Sequence, residues 1–359
     1  MIDLFYPYIP KEVPDAVADV LKTRWIGQGP KVKQFEKDFC GLFQVSNAVS
    51  VNSGTAALET AYDLIGLKEG DEVITTPLTC TATNLPLLAR KVKIVWADIL
   101  ADTLCIDYKD VCRKVTNKTK AIVQVHLGGI RADLSDHFDQ HWHNPVIVSD
   151  AAQALGIFTG HYTCCSFQAI KHISTCDGGM VVCPDQATAY KAKLMRWFGI
   201  DRDKRIENNW QAYTKRKMTQ DIEILGYKRQ MHDVAATMGI IGLQHYREVI
   251  EYRKKLFNLY KDLLSGVDGI TVVDGDVNTY WLLTVLVERR EDFAKMLFSS
   301  DIDSNTVHVR NDIFDIFGGK RQELPVMNEV EEKYISLPLG MHVSEEDVQY
   351  ICEKIKGGW

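Results

Sequence analysis

Val146-Ile147-Val148-Ser149-Asp150-Ala151-Ala152-Gln153 is the stretch that decides the fold. Three β-branched aliphatic residues in a row make a strand buried on both faces, and the run ends abruptly on a carboxylate. Similar short apolar runs stand at 49–51, 72–76, 93–97, 121–125, 162–167 and 179–183. Helix-like stretches alternate with them between about residues 45 and 185, which predicts an α/β fold with a mainly parallel sheet flanked by helices. In such sheets ligands gather at the carboxyl ends of strands. Asn52-Ser53-Gly54-Thr55, Thr79-Cys80-Thr81 and Asp150 all fall at or just beyond those ends, so distant residues can converge there.

Beyond residue 185 the pattern changes to longer amphipathic segments. Val234, Met238, Ile241, Leu243, Tyr246 and Ile250 mark an apolar stripe on a helix expected over 234–264. Strands are expected at 269–273 and 280–287, and helices at 291–298 and 344–355. This gives a large domain over 1–240 and a smaller α+β C-terminal domain over 241–359, with the N-terminal segment free to join the smaller one.

Composition excludes several classes of function. The 359 residues are 46% hydrophobic and 25% charged, and the net charge of -6 offers no field for nucleic acid or an anionic membrane. No apolar run approaches the roughly eighteen residues that a membrane span needs. The nine cysteines are scattered without a C-x-x-C pair, as expected of reduced thiols in the cytoplasm.

Three features carry chemistry. Ser53-Gly54-Thr55-Ala56-Ala57-Leu58 follows a strand and opens a helix, and the free N–H groups of a helix start can hold a phosphate. The plain alternative there is a capped helix. Asp150 points a carboxylate out of a buried strand, which is costly unless a cation meets it. Its plain alternative is to cap a helix beginning at Ala151, which would put Gln153 on the same helical face. Lys171 lies five residues after Ser166 and just before Asp177-Gly178-Gly179, in a turn expected to be buried between strands. An amine, an anion and a phosphate cradle are the needs of pyridoxal phosphate: its aldehyde takes an amine, its ring nitrogen takes an anion, and its phosphate takes donors.

The chain resembles the sugar aminotransferases of the DegT/DnrJ/EryC1/StrS family, which have the fold of type I pyridoxal phosphate enzymes. The resemblance runs through Trp25-Ile26-Gly27-Gln28-Gly29-Pro30 with Phe35-Glu36, then Ser53 to Leu58, Asp150 to Gln153, Ser166-Phe167, Lys171 and Asp177-Gly178-Gly179. It continues through Gly226-Tyr227 with Met231 and Asp233 to Leu337-Pro338-Leu339. It implies that Lys171 bonds the cofactor, Asp150 holds the ring nitrogen, and Gln153 covers one ring face. Ser166 and the Gly54 and Thr55 amides would hold the phosphate. Three positions depart from the family pattern: Cys80 replaces an aromatic ring, Lys228 replaces an asparagine that reaches the neighbouring subunit's phosphate site, and Asp177 replaces a glutamate.

The resemblance further implies a homodimer that aminates a nucleotide-linked keto-deoxysugar with glutamate as donor. Dehydration of the same substrate class is the nearest alternative, because family dehydratases carry histidine at the lysine position. His172 stands beside that position, but the spacing from Ser166 selects Lys171. A catalytically silent protein that binds pyridoxal phosphate or a sugar nucleotide is the alternative from another class. For substrate contact the candidates are His308, Arg310 and Asn311, with solvated loop residues as the plain alternative. Arg196, Arg202 and Arg229 are further candidates for a diphosphate.

Overall fold

The computed structural model describes residues 1–132, 134, 145–203 and 222–359. Seven strands form one sheet: β1 (Ala48–Val51), β2 (Glu72–Thr75), β3 (Lys93–Trp96), β4 (Thr119–Val125), β5 (Val146–Asp150), β6 (Tyr162–Ser166) and β7 (Gly179–Val182). Their spatial order is β1-β7-β6-β5-β4-β2-β3. Strands β2 to β6 are parallel, and β7 runs antiparallel to both its neighbours. Parallel neighbours need a crossover, whereas β6 and β7 are joined by the turn 167–178 with no helix in it. That turn carries Lys171.

Burial on both faces explains the near-continuous apolar runs. Val148, Cys164 and Val181 face a core shared with Ala57, Leu58, Ala61 and Tyr62 of the Gly54–Ile65 helix. On the other face Ile147 packs with Ile74 and Ile122, while Cys165 and Met180 pack with Phe35, Phe39 and Phe167. Neighbours in sequence thus enter different cores, as the pleat requires.

A second, antiparallel sheet has the order β10-β9-β8, with β8 at Ile270–Val272, β9 at Leu283–Val287 and β10 at Tyr334–Leu337. Strand β10, only four residues long, was not among the expected strands. The strand expected from 280 begins only at Leu283. Tyr280 takes a left-handed φ of 58°, and the Trp281 and Leu282 amides donate to the Gly128 carbonyl at 3.1 and 3.0 Å, which draws 280–282 away from the small sheet.

The Asp233–Leu264 helix joins the two halves. Its Ala235, Ala236 and Leu243 enter the core against the large sheet, and its Leu256, Phe257, Tyr260 and Leu264 enter the core beside the small one. At its start the buried Asp233 carboxylate accepts from the amides of Gly29 (2.7 Å), Lys31 (3.1 Å) and Val32 (3.2 Å), satisfying the free donors at the start of the Pro30–Phe43 helix. Residues near the N-terminus meet the small sheet's lobe, where Ile2 bridges to Ile302. None of the described helices is long and apolar enough to cross a membrane.

Candidate active site

Sheet register brings the chemically informative residues to one edge. Val51 at the end of β1 pairs with Gly179 at the start of β7, and Gly179 pairs with Ser166 at the end of β6. Next in order is β5, which ends on Asp150. The start of the Gly54–Ile65 helix therefore lies against Ser166. A Cβ at Gly54 would stand 2.8 Å from that of Ser166, so only glycine permits this approach. Ser53 caps the helix by accepting from the Ala56 amide at 3.0 Å. The Gly54 and Thr55 amides precede the first intrahelical donors and, with the Ser166 hydroxyl, can serve an anion.

Asp150 is buried, and its direct donors are neutral: Thr83 Oγ1 at 2.7 Å and the Ala152 amide at 3.0 Å. Burial pushes its carboxyl above the ordinary value, opposed by Thr83, by the Ala152 amide and by the charge of Lys171. The helix that Asp150 would cap in the plain alternative is absent; the chain forms turns at 152–153 and 155–156. The Asp150 side chain folds back on its own backbone two residues on, which competes with helix formation. Gln153 is fixed differently from a helical residue. Its Oε1 accepts from the Gly128 amide at 2.7 Å, and its Nε2 lies 2.8 Å from His308 Nε2.

Lys171 is half-buried in the turn between β6 and β7. Burial pulls its ammonium down to about 8, against the opposing charges of Asp150 and Cys80. Among the described residues no carboxylate lies within ion-pair distance of Nζ, which instead stands 3.6 Å from the centre of the Trp281 ring. His172 turns the other way: it is buried, its Nε2 lies 2.7 Å from the Thr279 carbonyl, and burial pulls its imidazole down to about 3.

Cys80 is exposed just before the Thr81–Ala89 helix, near Lys171. Lys228 is exposed, and its carbonyl lies 3.5 Å from Asn52 Nδ2, just before the start of the Gly54–Ile65 helix.

Several substrate candidates are spent on structure. Arg310 is fully buried; it pairs with Asp312 (2.6 Å) and Glu331 (3.0 Å) and donates to Asn328 (2.6 Å). It therefore does not reach a substrate. Asn311 is also buried; its amide donates to the Thr79 carbonyl (2.8 Å) and its Oδ1 accepts from Asn84 (3.0 Å), tying the small lobe to the turn that bears Cys80. Arg196 pairs with Glu36 and donates to the Ser50 carbonyl (2.9 Å), and Arg229 pairs with Glu59 (3.0 Å) and Asp63 (2.8 Å). The three arginines share one cause: a buried guanidinium must be paired, and the carboxylates beside each supply the pairing. Arg202 donates to the Gln28 carbonyl at 2.7 Å and stacks over Trp197. Of the small-lobe candidates His308 alone reaches the site, through Gln153. Burial, reinforced by Lys171, pulls its imidazole down to about 4, so it stays neutral.

Thr83 and Trp281 are site residues that the sequence reading did not single out. Thr83 stands in the hydroxyl-rich run Thr79-Cys80-Thr81-Ala82-Thr83, whose position at a strand end was the available signal. Trp281 was hidden in what looked like a continuous strand.

This donor set fits pyridoxal phosphate. A buried acid is supplied only with neutral hydrogen bonds, an amine is depressed toward neutrality, and a helix start carries free amides beside a hydroxyl.

Comparisons agree with that geometry. The chain matches the model of the DegT/DnrJ/EryC1/StrS aminotransferase family over residues 7–356. It is 27% identical to GDP-perosamine synthase of Escherichia coli O157:H7 over 99% of this chain and 97% of that protein. It superposes on the sugar aminotransferase CalS13 of Micromonospora echinospora with a TM-score of 0.90, at 29% identity and complete coverage of both chains. It also superposes on the PMP form of Spr1654 of Streptococcus pneumoniae with a TM-score of 0.89, at 26% identity, covering 99% of this chain and 98% of that one. With a lysine, a buried acid and an anion cradle at one sheet edge and a family match over nearly its whole length, the chain belongs to the DegT/DnrJ/EryC1/StrS aminotransferase family and is a pyridoxal phosphate-dependent aminotransferase.

Proposed function

We propose that this aminotransferase moves the amino group of glutamate onto a keto carbon of a nucleotide-linked deoxysugar. The observation that carries this reading is the convergence at one edge of the large sheet of the turn that bears Lys171, the buried Asp150 and the close approach of Gly54 to Ser166. The names of the similar proteins, sugar aminotransferases and a GDP-perosamine synthase, support the substrate class.

The bound cofactor supplies an electron sink that makes a proton on the neighbouring substrate carbon labile. The chain supplies the rest. Asp150, kept in place by Thr83, keeps a proton on the ring nitrogen. Gln153, fixed from both ends by Gly128 and His308, would cover one face of the ring. Ser166 and the amides of Gly54 and Thr55 hold the phosphate. Lys171 provides the amine that bonds the cofactor at rest and, once free, removes a proton from one carbon and returns it to another. Cys80 would stand beside the ring in place of an aromatic residue. His172 is bound to Thr279 and takes no part, which favours amination over dehydration.

The active unit is a homodimer in which Lys228 serves the partner's phosphate site. Around it Phe198, Ile222, Leu225 and Tyr227 are exposed and apolar, and Leu225 is 73% exposed, as suits a surface covered by a second copy.

Nitrogen-labelled glutamate tests the reaction. The label should appear in the amino sugar when UDP-, GDP- or dTDP-linked keto sugars are supplied in turn. A product that has lost a hydroxyl without gaining label would establish dehydration instead.

A further inference from the structure

The residues around Lys171 are gripped by a segment of the other lobe. Trp281 Nε1 donates to the Ile170 carbonyl at 3.0 Å, and His172 lies 2.7 Å from the Thr279 carbonyl. Between these two bonds the Lys171 Nζ stands over the Trp281 ring, 3.6 Å from its centre. The ring itself is immobilised. Trp281 is 1% exposed, Phe5 stacks on it with centroids 5.6 Å apart, its amide donates to Gly128, and Arg253 donates to its carbonyl at 3.0 Å. The face of an indole attracts an ammonium far more than a neutral amine, and the attraction is strongest where water is excluded.

We propose that the Trp281 face is the seat of the Lys171 ammonium: once the freed, neutral amine has taken a proton from the substrate carbon, the ring holds the protonated amine at a fixed place until that proton is returned. Trp281 is thus a positioning residue that acts through Lys171. The catalytic half of this inference rests on the proposed role of Lys171; the seat itself is a property of the cofactor-free protein. During turnover the free amine is neutral, takes up the proton of one substrate carbon, and must then deliver that same proton to another atom without swinging into solvent. A π face meets that need where a carboxylate would not, because an ion pair would hold the proton too firmly.

Other charged and titratable groups facing Lys171 are Asp150 from the end of β5, Cys80 from the start of the Thr81–Ala89 helix, His308 from the small lobe and the adjacent His172, with Arg253 behind His172. Both histidines are neutral near pH 7, so the ring acts alongside Asp150 as a source of stabilisation for the ammonium.

Trp281→Leu would remove the ring but risks unfolding the segment. The decisive series therefore replaces Trp281 site-specifically with indoles carrying one to four fluorines, which weaken the negative face while retaining the shape and the N–H donor. In the cofactor-free protein, titration of an isotope-labelled Lys171 side chain should show a pKa that falls stepwise, by about one at full fluorination. The acidic limb of the kcat profile in the holoenzyme should move down with it. A pKa that stays flat across the series would overturn the seat, even if the cofactor bonds Lys171 normally. A falling pKa with the cofactor bonded to a different lysine would keep the seat and remove the proposed role of Lys171.

Discussion

A fully buried cation and a half-buried one, set side by side, explain more of this molecule than either does alone. Arg310, in the small lobe, is fully enclosed and bonded to Asp312 and Glu331; burial lowers its pKa, but these partners more than reverse the effect. Lys171, in the turn between β6 and β7, has no carboxylate at ion-pair distance among the described residues and is pulled down to about 8. A cation whose charge is matched on site is held in one protonation state and serves structure. One left short of anions sits near neutrality and can exchange a proton or form a bond. The contrast separates the catalytic turn from a segment that looked equally functional in sequence.

The largest expected effect breaks the comparison at its catalytic side. Lys171→Ala should lower kcat by more than about 10³-fold while leaving the urea midpoint close to that of the parent. Arg310→Ala should do the reverse, costing about 3–5 kcal/mol of unfolding free energy by stranding Asp312. An Arg310→Ala protein of normal stability but with a raised KM for the sugar nucleotide would restore Arg310 as a substrate contact.

A smaller effect is expected at Thr83. Thr83→Val keeps the volume but takes a hydrogen bond from Asp150, and kcat should fall about tenfold. An unchanged kcat would mean that Asp150 needs no support from the Thr81–Ala89 helix.

The smallest effect is a displacement in pH. Only the neutral amine can capture the cofactor, and its fraction grows as pH rises through the pKa. The rate at which cofactor-free protein takes up pyridoxal phosphate should therefore climb with pH and level off above about 8. A rise that continues toward the ordinary lysine value would show that burial does not depress this amine.

Much of the large sheet was legible because its strands are buried on both faces and so read as unbroken apolar runs. Asp150, Ser166 and Lys171 could be placed because they follow such runs at a strand end. The small lobe was harder. In 280–287 the apolar pattern continues through residues whose amides are claimed by Gly128, and no local signal marks that distant partner. The same limit applies to Arg310: a guanidinium two residues from an aspartate reads equally well as a ligand or as half of a pair, and only the arrival of Glu331 from the Pro325–Val330 region decides. Thr83 stood in a run at a strand end, but a threonine in a helix does not reveal that a carboxylate from β5 will come within 2.7 Å.

Reductive trapping tests the central claim most directly. Protein loaded with pyridoxal phosphate, reduced with borohydride and digested, should yield one modified peptide with the phosphopyridoxyl mass on Lys171. An unmodified Lys171 peptide, or the same mass on another lysine, would contradict the account.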